Sequence, residues 1–301
     1  MRSIVSNASL PDLAAGLEVA IASDDTLGEG PWWSTRSNSL WRVDIRKQLI
    51  HCWRPGDDTH REWALPDQVG CFVPSPNETA GVVALSDGMY WFDLQTGDLA
   101  QIAELESDIA DNLFNDGKCD RSGNLWVGSK HVSDAKLTGH LYRIDTQCRV
   151  TQMLDRIGVS NGIGWSPDNK ICYYTDSAQQ TIWTMTTADR GITSREIFVK
   201  DTDGYPDGLT VDAEGCIWSA KWDGGRVVRY TPDGKIDTVL EMPVSRPTSV
   251  MFGGDDLGQL YITSARVDRE HEAMAGHVFV FDSKTCGIAE TPYDYNAEQW
   301  D

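Results

Sequence analysis

A repeat limits what this chain can fold into. Residues 207–236, "DGLTVDAEGCIWSAKWDGGRVVRYTPDGKI", hold an apolar run, an Asp-Ala-Glu-Gly turn, a second apolar run, a polar loop, a third strand-like run and a Pro-Asp-Gly turn. The same order recurs at 161–186, "NGIGWSPDNKICYYTDSAQQTIWTMT", at 116–145, "DGKCDRSGNLWVGSKHVSDAKLTGHLYRID", and at 29–54, "EGPWWSTRSNSLWRVDIRKQLIHCWR". Two looser copies begin at Gly70 and Pro247. The six starts, near 30, 70, 117, 162, 208 and 247, lie about 40 to 47 residues apart, the period of a four-stranded propeller blade. One blade cannot bury both its faces alone, so neighbours must stack around an axis. The sequence thus predicts an all-β fold, a six-bladed β-propeller of four-stranded blades around a central channel, forming one domain over residues 1–301. The β-patterned segment at 17–23, "LEVAIAS", belongs to no unit and is expected to close the ring by adding a strand to the last blade. The 12 Trp and 27 Gly agree with this, because aromatics favour strands and glycine serves turns. A two-domain β-sandwich would not need six aligned units, and an α/β fold would need amphipathic helices that the pattern lacks.

Four short polar stretches sit at the starts of these units: "GEGPW" at 28–32, "NDGKC" at 115–119, "SNGIGW" at 160–165 and "PDGLTV" at 206–211. Each sets an acid or amide directly before a glycine and precedes an apolar run. Taken singly, each is a turn signal. Taken in blade register they mean more, since the innermost strand of every blade lines the channel. Glu29, Asp116, Asn161 and Asp207 then converge on one channel mouth, with Asn115 one position before Asp116. Bunched carboxylates raise one another's pKa, and a divalent cation removes that conflict. An oxygen-only set suits hard ions such as calcium, magnesium or manganese. The register alone does not choose between Asn115 and Asp116.

Charge narrows the partners. A formal net charge of −20 argues against nucleic acid and against an anionic membrane surface, since both require a basic face. The seven Cys are odd in number, widely spaced and without a C-x-x-C pair, which reads as reduced thiols in a cytoplasmic protein. The stretch "MRSIVSNASLPDLAAGLEVA" lacks a sustained apolar core and makes a poor secretory leader. No apolar run approaches the roughly 20 residues of a membrane span. "HEAMAGH" at 271–277 misses the i, i+4 histidine spacing of a zinc helix. Trp32, Trp33, Trp165, Trp218 and Trp222 are candidates for stacking on a sugar, with blade packing as the alternative. Few exposed strand edges point to a monomer.

At this point the chain resembles the gluconolactonase/senescence marker protein (regucalcin) family of six-bladed propellers. The matching segments are "LGEGPWW" with "LWRVDI", "FNDGKCDRSGNLWVGS", "SNGIGWSPDNKICYYTDS", "YPDGLTVDAEGCIWSAKW", and "RPTSVMFGG" with "LYITSAR", in family order from about residue 26 to 266. The resemblance implies metal-dependent hydrolysis of a small-molecule sugar lactone. It carries three metal ligands onto Glu29, Asn161 and Asp207, a substrate contact onto Asn115, and the general base onto Asp207. One divalent ion is implied, with calcium favoured and zinc, manganese, magnesium and ferrous iron as alternatives. Two departures concern the rim. Leu113 stands where many members have an arginine that contacts sugar hydroxyls. Gly128-Ser129-Lys130-His131 stands where many have Gly-Thr-Met followed by an acidic or longer loop, and Lys130 and His131 are expected to take over substrate contacts.

The implied chemistry is polarisation of the lactone carbonyl by the metal, attack by water that Asp207 deprotonates, and release of a linear aldonic acid. His131 or a water is the expected proton donor to the ring oxygen. Two other functions fit the same site: hydrolysis of phosphotriesters or other esters, and a non-catalytic metal-binding or interaction propeller, since fold alone does not set function.

Overall fold

Six antiparallel sheets of four strands account for the described residues, 14–188 and 191–295, of this computed structural model. The stretch read as a poor leader falls largely on residues 1–13, outside the described residues. Five sheets run outwards in chain order, with inner strands Gly28–Ser34, Phe72–Pro74, Asn112–Cys119, Ser160–Trp165 and Tyr205–Val211. The sixth starts with Pro247–Gly253 at the axis and ends with Leu17–Ile21, which pairs with Val278–Asp282. The result is an all-strand, six-bladed β-propeller.

The inner strands read as continuous apolar runs because both of their faces are buried. Among the described residues six hydrophobic clusters form, one at each blade interface. Adjacent residues serve opposite interfaces, because strand side chains alternate. Trp32 packs between blades one and two while Trp33 packs between blades six and one. Leu125 and Val127 face blade two while Trp126 faces blade four. Two indoles are pinned by turn aspartates: Trp126 Nε1 donates to Asp120 at 2.9 Å and Trp218 Nε1 to Asp212 at 3.0 Å. The same carboxylates accept backbone N–H groups of their own turns, from Ser122 and Asn124 and from Glu214 and Cys216. This accounts for the repeated Asp-x-x-Gly-x-x-Trp spacing.

The inner strands carry a second common feature. In five of the six blades the ladder breaks its register near the same end: at Glu29/Trp32, Phe114/Gly117, Asn161/Ile163, Pro206/Leu209 and Pro247/Val250. A bulge re-aims a side chain, and here it does so at one mouth of the channel.

The other mouth is crossed by the segment that follows the sixth blade. Ala213 N donates to Cys286 O (2.9 Å), Gly287 N to Leu257 O (2.8 Å), and Tyr293 N to Pro74 O (3.1 Å). Tyr293 is fully buried and its hydroxyl donates to Asp145 O at 2.6 Å. Between these anchors, Glu290 lies 3.4 Å from the Lys118 ammonium, which donates to Leu209 O of the fifth blade. All seven cysteines are free, and no helix among the described residues is long and apolar enough to cross a membrane.

Phe279 is fully buried in the strand that joins the closing segment to the sixth blade. Phe279→Ala is expected to destabilise the protein by about 3–5 kcal/mol through the cavity it leaves, read as a fall in the denaturant midpoint at unchanged m-value.

Candidate active site

The closing pairs of the inner hairpins show which residues are equivalent. Counting back five residues from the residue that closes each inner hairpin, at Ser34, Ser75, Asp120, Ser166, Asp212 and Gly253, gives Glu29, Gly70, Asn115, Asn161, Asp207 and Thr248. Asn115, rather than Asp116, is therefore the counterpart of Glu29, Asn161 and Asp207. Asp116 occupies the next position, where those three blades carry Gly30, Gly162 and Gly208.

The glycines explain the recurring sequence pattern. A Cβ on Gly162 would stand 2.5 Å from Asp207 O and 2.6 Å from Leu209 N. A Cβ on Gly208 would stand 2.0 Å from Ser249 Oγ, and one on Gly70 would stand 2.6 Å from Asn115 O and Phe114 O. Inner strands thus touch backbone to backbone at the axis, and only the missing side chain lets the polar residues beside it come together.

Glu29, Asn115, Asn161 and Asp207 line one cavity of about 440 Å³. Their amides are held in fixed orientations. Asn115 Nδ2 donates to Ser160 O (2.8 Å) and Asn161 Oδ1 (2.9 Å). Asn161 Nδ2 donates to Ser177 Oγ (2.9 Å), which donates to Pro206 O (2.6 Å). The Asn161 carbonyl oxygen is thereby turned to the Asn115 side. Glu29 accepts from Gly30 N at 2.9 Å.

Burial pushes the Glu29 and Asp207 carboxyls well above their ordinary values, and repulsion adds to it: Asp207 and then Asp116 act on Glu29, and Asp116 acts on Asp207. Asp116 is raised by lost hydration too, partly offset by the Lys118 ammonium deeper in the channel. Lys130 is the cation that most lowers both Glu29 and Asp207. Two buried carboxylates that repel each other, beside an oriented amide oxygen, fit a hard divalent cation, which would neutralise both.

Lys130 lies in the cavity wall, paired with the exposed Asp134 at 2.9 Å. His131, also expected to contact substrate, is not among the residues that line the cavity. Neighbouring strand residues point to opposite sides, and His131 Nδ1 instead accepts from Ser133 N (3.1 Å) while Nε2 faces Asp111 at 3.6 Å. Of the five tryptophans considered for sugar stacking, Trp222 alone lines the cavity, and the other four are buried in blade interfaces or against them. Sequence reasoning did not find Ser177, Tyr205, Arg46 or Arg246, which also line it. A usable signal exists for some of these. Five residues past Leu40, Leu125, Cys172 and Ile217, which lie opposite the inner strand ends or beside them, stand Ile45, Lys130, Ser177 and Trp222, all in the wall. The turn group Asp212, Glu214 and Cys216 brings potential ligands together as well, but both carboxylates there already hold Arg229, at 2.8 and 2.5 Å.

The site is an oxygen-donor centre at one mouth of a propeller channel, under an open cavity walled by five of the six blades. A profile of the SMP-30/Gluconolactonase/LRE-like region matches residues 27–266, and the chain belongs to that family. It is 35% identical over 285 residues to the 6-deoxy-6-sulfogluconolactonase of Pseudomonas putida, covering 91% of this chain and 97% of that protein. It is 34% identical over 277 residues to the L-arabinolactonase of Azospirillum brasilense, covering 88% and 91%. The crystal structure of a calcium-binding protein, regucalcin, from Agrobacterium tumefaciens superposes with a TM-score of 0.88 at 30% identity, covering 93% of this chain and 97% of that one.

Gly162→Ala is expected to lower divalent-cation affinity by about 10- to 100-fold by displacing Asp207, measured by titration calorimetry on protein of native circular dichroism. The raised carboxyls also set a pH dependence. Relative to ordinary values of 4.5 for Glu29 and 3.8 for Asp207, the folded metal-free protein holds protons that the unfolded chain has lost. The contribution of these two groups to stability is therefore greatest below those values and is lost as pH rises through the raised pKa values. Added divalent cation should offset this, so its stabilising increment in melting temperature grows with pH above about 4. An increment that is flat with pH would mean the carboxylates do not bind the ion.

Proposed function

We propose that this chain hydrolyses a sugar-acid lactone to the linear aldonic acid at the Glu29–Asn161–Asp207 centre, as one propeller domain. The lactonase class rests on family membership and on relatives named for that activity. The observation that carries the metal and the residue roles is the pair of buried, mutually repelling carboxylates beneath an open cavity with a polar and aromatic wall. A scaffold propeller has no use for that electrostatic conflict. The calcium-binding regucalcin among the neighbours supports a divalent ion, with calcium favoured.

Glu29, Asn161 and Asp207 would hold the ion, which supplies Lewis acidity toward the lactone carbonyl. Asp207 takes a proton from the water that attacks the carbonyl carbon. Its burial suits that role, because loss of hydration makes the carboxylate a stronger base. Asn115, fixed by two hydrogen bonds, orients the substrate. The new carbon–oxygen bond forms and the carbonyl-to-ring-oxygen bond breaks. Lys130, the ammonium in the wall, protonates the departing ring oxygen. Trp222 and Tyr205 give the sugar ring apolar faces to lie against.

Proton release from pentono- and hexono-lactones should vanish on metal stripping and return with one added divalent ion. Asp207→Asn is expected to reduce turnover by about 100- to 10,000-fold, and Glu29→Gln to abolish the metal response. Full turnover in Asp207→Ala with metal bound would remove the base assignment.

A further inference from the structure

We infer that the natural substrate is an anionic lactone, one that carries a sulfonate, phosphate or carboxylate at the end remote from the lactone carbonyl, and that Arg46 receives this group. The inference rests on the lactonase reading above and adds the substrate's charge to it.

The argument is a count of charges around the cavity. Its acidic residues are Glu29, Asp134, Asp207 and Asp268, and its basic ones are Arg46, Lys130 and Arg246. Glu29 and Asp207 are matched by a divalent cation. Lys130 is matched by Asp134 at 2.9 Å. Arg246 is committed on every side: Nε to Asp223 at 2.7 Å, Nη1 to Val267 O at 2.7 Å, the guanidinium 4.3 Å from the Trp222 ring, and Asp268 at 3.7 Å. Arg46 is left. Among the described residues it has no ion pair and no side-chain hydrogen bond, while its neighbour Lys47 is held by Asp24 at 2.7 Å.

Other described cations, such as Lys136, Lys200 and Lys284, also lack an ion pair, but among them all Arg46 alone lines the cavity. Arg46 sits exposed in the turn after strand Ser39–Asp44, while the Lys130 side chain is largely buried, so Arg46 lies nearer the rim. Apolar Leu27, Ile45 and Val267 share the wall with it. A substrate with its lactone at the metal centre would run its chain over this apolar stretch and present its far end at Arg46. Guanidinium is the side chain best shaped to bind a sulfonate, phosphate or carboxylate through two parallel hydrogen bonds. Arg46 would also draw an anion into a protein whose net charge of −20 otherwise repels it.

The test compares kcat/KM of the metal-loaded enzyme on D-glucono-1,5-lactone with that on its 6-sulfo, 6-phospho and 6-carboxy counterparts. At low salt at least one anionic lactone should be preferred by about five- to tenfold. The preference should shrink as salt is raised from about 0.02 M to about 0.5 M, because the contact is exposed. Arg46→Ala should bring the ratio close to one, mainly through KM for the anionic substrate, and Arg46→Lys should restore part of it. Which of the three is preferred distinguishes the oxyanions. Turnover of the neutral lactone with no preference for any anionic one would overturn the inference and leave the lactonase reading standing. A preference that survives in Arg46→Ala would overturn the role of Arg46. Failure to turn over any lactone with any divalent ion would overturn the lactonase reading, and this inference with it.

Discussion

The closest packing that bears on function is between backbones at the axis. Gly70, Gly162 and Gly208 leave no room for a single carbon atom between one inner strand and the next. That contact determines how near Glu29, Asn115, Asn161 and Asp207 stand to one another. The six hydrophobic interfaces drive the blades together, and the glycines decide where the approach stops. The bulges beside them then turn the polar side chains into the channel mouth. Removal from water and mutual repulsion raise the acids, and the resulting conflict makes the site receptive to a cation. Fold, bulge and electrostatics are thus successive consequences of one packing constraint.

The two ends of the channel are built differently. At the cavity end, five blades contribute wall residues and the second contributes none. In that blade the ring position is Gly70, which has no side chain and whose backbone lies against Asn115 O. At the other end the segment after Asp282 crosses from the fifth and sixth blades to the second and third, and closes the channel with buried Tyr293 and the Glu290–Lys118 ion pair. Lys118 faces Glu290 on that side and Asp116 on the other. Its ammonium therefore balances an acid beside Glu29 and Asp207 that no other described side chain pairs with. Lys221, fully buried behind Asp207, is paired with Asp201 at 2.7 Å, and burial lowers its pKa to about 8. Breaking such a pair on one side would leave a buried charge without compensation. These cations keep the acid cluster from being more costly than the fold can bear, without entering the cavity.

Much of this was legible in the sequence, for a physical reason. A propeller blade is a local unit, so its strands, turns and buried faces repeat along the chain at a fixed period. Glu29, Asn161 and Asp207 could be found because they recur at one place in that unit. The family resemblance selected Asn115, and counting from the hairpin closures sets it level with Glu29, Asn161 and Asp207. Aligning on the glycine had favoured Asp116, because in the third blade an acid sits where the others have glycine.

What the sequence determined by itself was the all-β repeat, the number of blades, and the residue types that meet at the axis, all of which depend on local pattern. Which residues line the cavity wall was decided largely by the tertiary structure. Lys130 and His131 are neighbours in sequence, yet one lines the cavity and the other turns to Ser133, because strand register assigns the face. Trp222 and Trp218 differ by four residues, yet one is in the cavity wall and the other is in the core. Arg46, Arg246 and Tyr205 come from blades one, six and five and carry no shared motif. Closure of the ring brings them to one mouth, and periodicity within a single blade holds no information about that.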